Sequence, residues 1–467
     1  MNSEIAFMGL VELGKLIAKR KLSSLEVTRA MLERIEQLDP KLKSYVAVME
    51  GPAIKDARRA DKNSKNGKKR GPLHGVPVAV KDLCNITGFA TTAGIPMFQK
   101  SIADHDATVV RNLRDAGAVI LGKLHLTEGA LAEHHPDIPP PINPWAANRW
   151  SGASSSGTGV SVAAGLTFGA LGSDTGGSIR FPASCNGVVG LKPTWSRVSR
   201  FGVFPLSQTL DHVGPLTRSV EDAAAMLTAI AGRDVNDPTS SSLAVPDYLS
   251  TIGRGVKGVR IGIDRKYAFG GVDTEIKNAI EKALRTLKAA GAIIVPFKMP
   301  PVDDALAAWG PICSADAATG HIASYPSKKR GYSATFGGFL NMGHEVTGLE
   351  YANAEITRRE LRGNMEAVFS SIDLMIKPVY KKINPTVKAY AAMGAKEGGL
   401  DDLITFTAPD DITGSPTITL PAGLDKNGSP LSFQLVGRHF EEALLFRAGR
   451  AWQDAADWRD MRPPLAL

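Results

Sequence analysis

Cysteine is scarce in this chain. Three residues in 467, Cys84, Cys185 and Cys313, lie far apart, with no Cys-x-x-Cys pair and no Cys/His cluster. That excludes a disulfide scaffold and a cysteine-based zinc site, and it points to a reducing compartment. No apolar run is long enough to span a bilayer. The first residues, "MNSEIAFMGLVELGKLIAKRKLSS", carry an early acidic residue and no apolar stretch leading to a small-residue cleavage site. The expectation is therefore a cytoplasmic protein without a membrane partner. Internal repeats and low-complexity tracts are missing too.

What is present has the balance of a soluble globular protein: 43% hydrophobic residues, 22% charged residues and a mean hydropathy near zero. Glycine (47) and proline (29) together run somewhat high, which suggests many tight turns. The net charge of +8 is mostly scattered. Its one dense run, "KNSKNGKKRG" at 62–71, reads as a solvated surface loop, so no nucleic-acid partner is expected.

Helical and strand patterns alternate along the chain. "SSLEVTRAMLERIEQL" opens with Ser23 three residues before Glu26, a capping-box signature ahead of helical periodicity. "HGVPVAVKDL" reads as a buried strand ending at Lys81 and Asp82. "DATVVRNLRDAGAVILGKL" reads as a helix, a turn at Gly117 and a buried strand. "SVEDAAAMLTAIAG" is a helix with Ser219 as its N-cap and Gly232 as its stop. After a polar, turn-rich stretch at 233–258 the alternation resumes, through "VRIGI", "DTEIKNAIEKALRTLKAAG", "AIIVPFK", a long helix at 349–369, "DLMIKP", "ITLPAGL", "LSFQLVG" and the helix "EEALLFRAGRAWQDAA". This order predicts an α/β layered fold around a parallel or mixed sheet. With no break in composition, the expectation is a single domain over 1–467.

Three stretches carry chemistry. In "GSDTGGSIR" (172–180), Ser178 follows two glycines, and no histidine lies near it to act as a base. The N–H groups of Thr175, Gly176, Gly177 and Ser178 can converge there on an oxyanion, although an ordinary glycine-rich turn has the same letters. In "SGASSSGTGVSVAAG" (151–165), hydroxyls crowd a loop that opens a helix. The loop lacks the lysine of a phosphate-binding loop, which favours a proton-relay surface. In "GVPVAVKD", Lys81 ends an apolar strand, where burial would favour its neutral, basic form; a lysine emerging to pair with Asp82 is the bland alternative.

Together these stretches resemble the amidase signature family of serine hydrolases. The likeness is densest over about 71–217, through "GVPVAVKD", "TTAG", "NPW", "GASSSG", "LGSDTGGSIRFPASCNGVVGLKPT" and "GVFPLSQTLDHVGPLTRSVEDAA". It returns in "TAPDDITGSPTITLPAG" and "LSFQLVGRHFEEALLFRAG". The resemblance implies an α/β/α sandwich around a large mixed sheet and a Ser–cis-Ser–Lys triad. Ser178 matches its nucleophile, Ser154 its relay and Lys81 its base. In that scheme 1–70 supplies N-terminal helices and 218–467 the pocket-forming and C-terminal part. Ala153 and Ser156 stand where the family usually has glycine, and Thr158 replaces a common serine. Ser155 is the rival for the relay role, and Asp174 and Arg180 are expected to support the nucleophile turn as an ion pair.

The adjacent pair His134 and His135 lacks a third ligand at a plausible spacing, so no metal and no cofactor are expected. His135 and Ile138 are instead candidates for the pocket, within 130–144, and 306–342 is a second candidate wall. The expected partner is a small-molecule amide or carbamate, and a homodimer is left open. The rival reading is the glutamine-hydrolysing component of a tRNA-dependent amidotransferase. The segment "LAEHHPDIPPPI" does not resemble that component.

Overall fold

A computed structural model describes residues 3–466 other than 69, 395, 397 and 457. Among the described residues, eleven strands form one sheet. The first six are β1 (Tyr45–Val48), β2 (Pro77–Lys81), β3 (Val119–Leu124), β4 (Gly169–Asp174), β5 (Val189–Lys192) and β6 (His212–Thr217). The later five are β7 (Arg260–Ile263), β8 (Ile293–Pro296), β9 (Leu374–Lys377), β10 (Thr417–Leu424) and β11 (Pro430–Gly437). Their order is β1-β3-β2-β4-β6-β5-β10-β11-β9-β7-β8. The sheet is mixed: β2 runs parallel to β3 and β4, and β7 parallel to β8 and β9, whereas β4, β6, β5, β10, β11 and β9 alternate in direction. Strands β2, β3, β4, β5, β6, β9 and β11 are buried along their whole length. Burial along the whole length places these strands between covering layers of helix.

Local sequence accounts for the helices at their ends. Helix Ser24–Leu42 starts with the complete capping box between Ser23 and Glu26, and helix Gly348–Ser371 with the same device between Thr347 and Glu350. Ser219 caps Val220–Ile230 by accepting from the Asp222 N–H. One reading of the sequence needs correction. The basic run at 62–71 is not wholly a loop: helix Glu50–Lys65 includes its first residues, and position 69 lies outside the described residues. The stretches that became β5 and β6 carry Gly190, Gly214 and Pro215, which weaken any strand signal, yet they are central. These two strands join the parallel β2–β3–β4 group to β10 and the C-terminal strands. Among the described residues, no helix is long and apolar enough to cross a membrane.

Candidate active site

Lys81 ends β2 and Asp174 ends β4. These strands are parallel neighbours, so both residues emerge at the same sheet edge, the edge where open α/β sheets place ligands. The chain then turns through 175–179 into helix Arg180–Asn186. Gly177 is required in this turn. Its φ is +131°, and a Cβ there would lie 2.3 Å from the Phe181 ring. Gly152, with φ +82°, lets the serine loop press against the backbone of Pro182, where a Cβ would sit at 2.5 Å. One residue on, the peptide between Ala153 and Ser154 is cis.

The structure brings Lys81, Ser154 and Ser178 to one place. Lys81 is 1% exposed, and its Nζ donates to Ser154 Oγ at 2.6 Å and to Ser173 Oγ at 2.8 Å. Burial pulls its pKa down to about 7, against the opposing pull of the Asp211 and Asp174 carboxylates. Near neutral pH the amine is therefore often uncharged. The same 2.6 Å contact then runs the other way, with the Ser154 hydroxyl donating to the nitrogen lone pair. Ser155 faces elsewhere: its hydroxyl donates to the Ser173 carbonyl (3.2 Å) and accepts from the Ser173 N–H (3.3 Å). The Ser155 N–H donates to the Ser178 carbonyl at 3.3 Å, which ties the serine loop to the glycine turn. Ser178 lines a cleft, and its hydroxyl has no hydrogen-bond partner among the described residues.

Asp174 and Arg180 form a fully buried, two-pronged ion pair, Nη2 to Oδ1 at 2.8 Å and Nε to Oδ2 at 3.1 Å. Burial alone would raise the Asp174 carboxyl. Arg180, Lys192 and the Ile179 N–H outweigh it and hold Asp174 well below the usual carboxylate range. Asp174 also accepts from the Gly177 N–H at 2.7 Å, so that group is already engaged. The N–H groups of Gly176 and Ser178 have no acceptor among the described residues. Thr175 sits at the cleft wall with its hydroxyl on Asp211 at 2.5 Å.

The support reaches much farther than the sequence suggested. Arg180 also meets Asp410 (3.0 Å) and Asp411 (2.5 Å) and donates to the Thr407 carbonyl, and Lys377 meets Asp410 at 2.9 Å. Segment 407–411 thus clamps the turn from more than two hundred residues away. In the sequence these residues stand out only through the family resemblance.

A narrow cleft, open to solvent, lies beside Ser178. Its walls are apolar: Phe181, Leu206, Trp309, Tyr390, Leu403 and Ile404 are prominent, and no charged side chain lines it among the described residues. Of 130–144 only Ala130, Leu131 and Ala132 reach it, and of 306–342 only Trp309. His135 and Ile138, expected at the pocket, are not on its walls. A tight turn folds this loop back, with Asp137 N–H donating to His135 Nδ1 (3.1 Å) and Ile138 N–H to the His135 carbonyl (2.9 Å). His134 instead contacts Ser156 Oγ through Nε2 at 3.1 Å.

Sheet and cleft together describe a large mixed α/β protein with a buried lysine–serine contact beside a serine-bearing cleft. The family follows from comparison: the amidase family model matches residues 26–446, and the chain belongs to that family. It hydrolyses C–N amide bonds. The chain is 42% identical over 461 residues to AmiD of Mycobacterium tuberculosis, an amidase by name, covering 99% of this chain and 97% of that one. It is 38% identical to a Glutamyl-tRNA(Gln) amidotransferase subunit from Anaeromyxobacter dehalogenans, over 96% of both chains. Among solved structures, the peptide amidase from Stenotrophomonas maltophilia superposes with a TM-score of 0.83 at 31% identity, over 98% of each chain.

Proposed function

We propose that this amidase cleaves small-molecule amides with an apolar acyl part, aryl amides and carbamates included, through an acyl-enzyme on Ser178. The observation that carries the proposal is the 2.6 Å contact between Ser154 and a buried Lys81 whose pKa falls to about 7, behind a serine that faces an apolar cleft. Neutral Lys81 takes the Ser154 proton while Ser154 takes that of Ser178. Ser178 Oγ attacks the carbonyl carbon, and the unpartnered N–H groups of Gly176 and Ser178 receive the negative charge on oxygen. As the C–N bond breaks, the relay runs backward and protonates the leaving nitrogen. Water then enters, gives its proton to the same relay and releases the acid. Each serine ends with its own proton, and Lys81 returns to neutral. The continuous eleven-stranded sheet supports reading 1–467 as one catalytic unit.

The relatedness to amidotransferase subunits favours a second reading, glutamine hydrolysis inside a complex. Glutamine carries an ammonium and a carboxylate, and burying either without a partner is costly. The cleft offers no charged side chain to either group among the described residues, which favours the apolar acyl substrate. Amine release by the purified chain from anilides, aryl carbamates and glutamine, with Ser178→Ala as blank, separates the two. Turnover of an anilide or carbamate, abolished in Ser178→Ala, is the expected result. Activity confined to glutamine would establish the amidotransferase reading, and full activity in Ser178→Ala would remove the nucleophile.

A further inference from the structure

Trp309 belongs to helix Asp303–His321, is 4% exposed and lines the cleft. Its indole Nε1–H donates to the Thr175 carbonyl at 2.8 Å. In a trans peptide the carbonyl and the following N–H point to opposite sides. Fixing the Thr175 carbonyl on the indole therefore fixes the direction of the Gly176 N–H. The next two peptides are held in the same manner. Thr407 Oγ1 donates to the Gly176 carbonyl at 2.6 Å, and the opposed Gly177 N–H goes to Asp174. Phe181 N–H donates to the Gly177 carbonyl at 2.7 Å, which sets the Ser178 N–H. The ring also lies close against the turn: a Cβ on Gly176 would stand 3.1 Å from it.

We infer that Trp309 is a positioning residue that holds the Gly176 N–H as an oxyanion donor, and that the same ring walls the acyl pocket. One side chain thereby couples acyl-group recognition to the alignment of the oxyanion site. The inference rests on the reading of Ser178 as nucleophile. Phenylalanine keeps an aromatic wall without an N–H, and the benzothiophene analogue of tryptophan keeps the full ring shape, so the hydrogen bond is separable from the wall.

The test compares the full chain with Trp309→Phe on the amide that Ser178→Ala fails to turn over. Kinetics are measured alongside affinity for a trifluoromethyl ketone bearing the same acyl group and for the carboxylic acid product. The expected result is a kcat lower by about 10- to 100-fold, somewhat less than the loss of a direct oxyanion donor, with KM changed by less than about threefold. Ketone affinity, which depends on the oxyanion formed by addition of Ser178 Oγ, should fall by the same factor while product affinity holds. An unchanged kcat, or a raised KM with kcat retained, would reduce Trp309 to a wall and overturn the inference. Should Trp309→Phe fail to fold, the benzothiophene analogue of tryptophan at 309 keeps the ring shape and lacks only the N–H. Retained kcat in that protein would overturn the inference equally. Activity surviving Ser178→Ala would instead sink the nucleophile reading on which the inference stands.

Discussion

Lys81→Arg offers a sharp test of the proposed chemistry when read against the pH profile of the unaltered enzyme. Moving lysine from about 10.4 to about 7 corresponds to on the order of 5 kcal/mol in favour of the neutral amine, set by complete burial at the end of β2. If the free amine is the base, kcat/KM rises with pH and levels off above about 8. At pH 6 it lies about tenfold below the plateau, and at pH 5 about 100-fold below. Arginine keeps the charge and most of the reach but does not deprotonate in proteins, so Lys81→Arg should be inactive at every pH. Amine release followed from about pH 5 to about 9.5 on one anilide or carbamate reads both. Stability gives an independent check, with its sign fixed by linkage. Because the folded-state pKa is depressed, the native chain binds fewer protons than the unfolded chain between about 7 and about 10.4, and the cost of burying Lys81 shrinks as pH rises through that window. Lys81→Met should therefore be more stabilising, relative to the unaltered chain, at about pH 6 than at about pH 9. A flat activity profile from about pH 5 to about 9, or a Lys81→Arg variant with ordinary turnover, would refute the neutral-lysine base.

Two further outcomes follow from the charges around the site. The Asp211 carboxyl, raised to about 6 by burial, pulls the Lys81 pKa upward when ionised; in Asp211→Asn the acid limb of the activity profile should shift to lower pH, and a shift to higher pH would contradict the assignment. Arg180→Ala would leave Asp174, Asp410 and Asp411 buried together without their shared cation, so urea unfolding should show a loss of at least about 3–5 kcal/mol, and a loss below about 1 kcal/mol would mean that Arg180 does not hold the cluster together.

The walls of the cleft come from separate parts of the chain. Phe181 comes from the helix after the nucleophile turn, Trp309 from helix Asp303–His321, Tyr390 from helix Val387–Gly394, and Leu403 and Ile404 from helix Gly399–Ile404. Tyr390 stacks on Trp150 with ring centroids 4.1 Å apart, and its hydroxyl donates to the Ala132 carbonyl at 3.0 Å. The cleft wall is thus assembled from four separate segments and braced against the loop that leads to the serines. Under the proposed function, substitution in one wall helix should change the acyl group accepted while the Lys81–Ser154 contact stays in place.

By itself the sequence determined the parts whose causes are local. Capping boxes, strand runs such as "VPVAVK" and the glycines flanking Ser178 depend on neighbours a few residues apart, and the placing of Lys81, Ser154 and Ser178 within recognisable motifs identified which side chains to watch. It also marked Asp174 and Arg180, six positions apart, as partners. Only the tertiary structure decided which of Ser154 and Ser155 meets Lys81, because adjacent hydroxyls differ there solely in the direction the backbone gives them. Only the fold showed that Asp410 and Asp411 complete the cluster, that the Gly177 N–H is occupied, and that His135 is not on the cleft wall. The wall residues were hidden for a simple physical reason. An apolar residue on a helix has the same periodicity whether its face meets the core or a substrate pocket, and only the packing of distant elements tells the two apart.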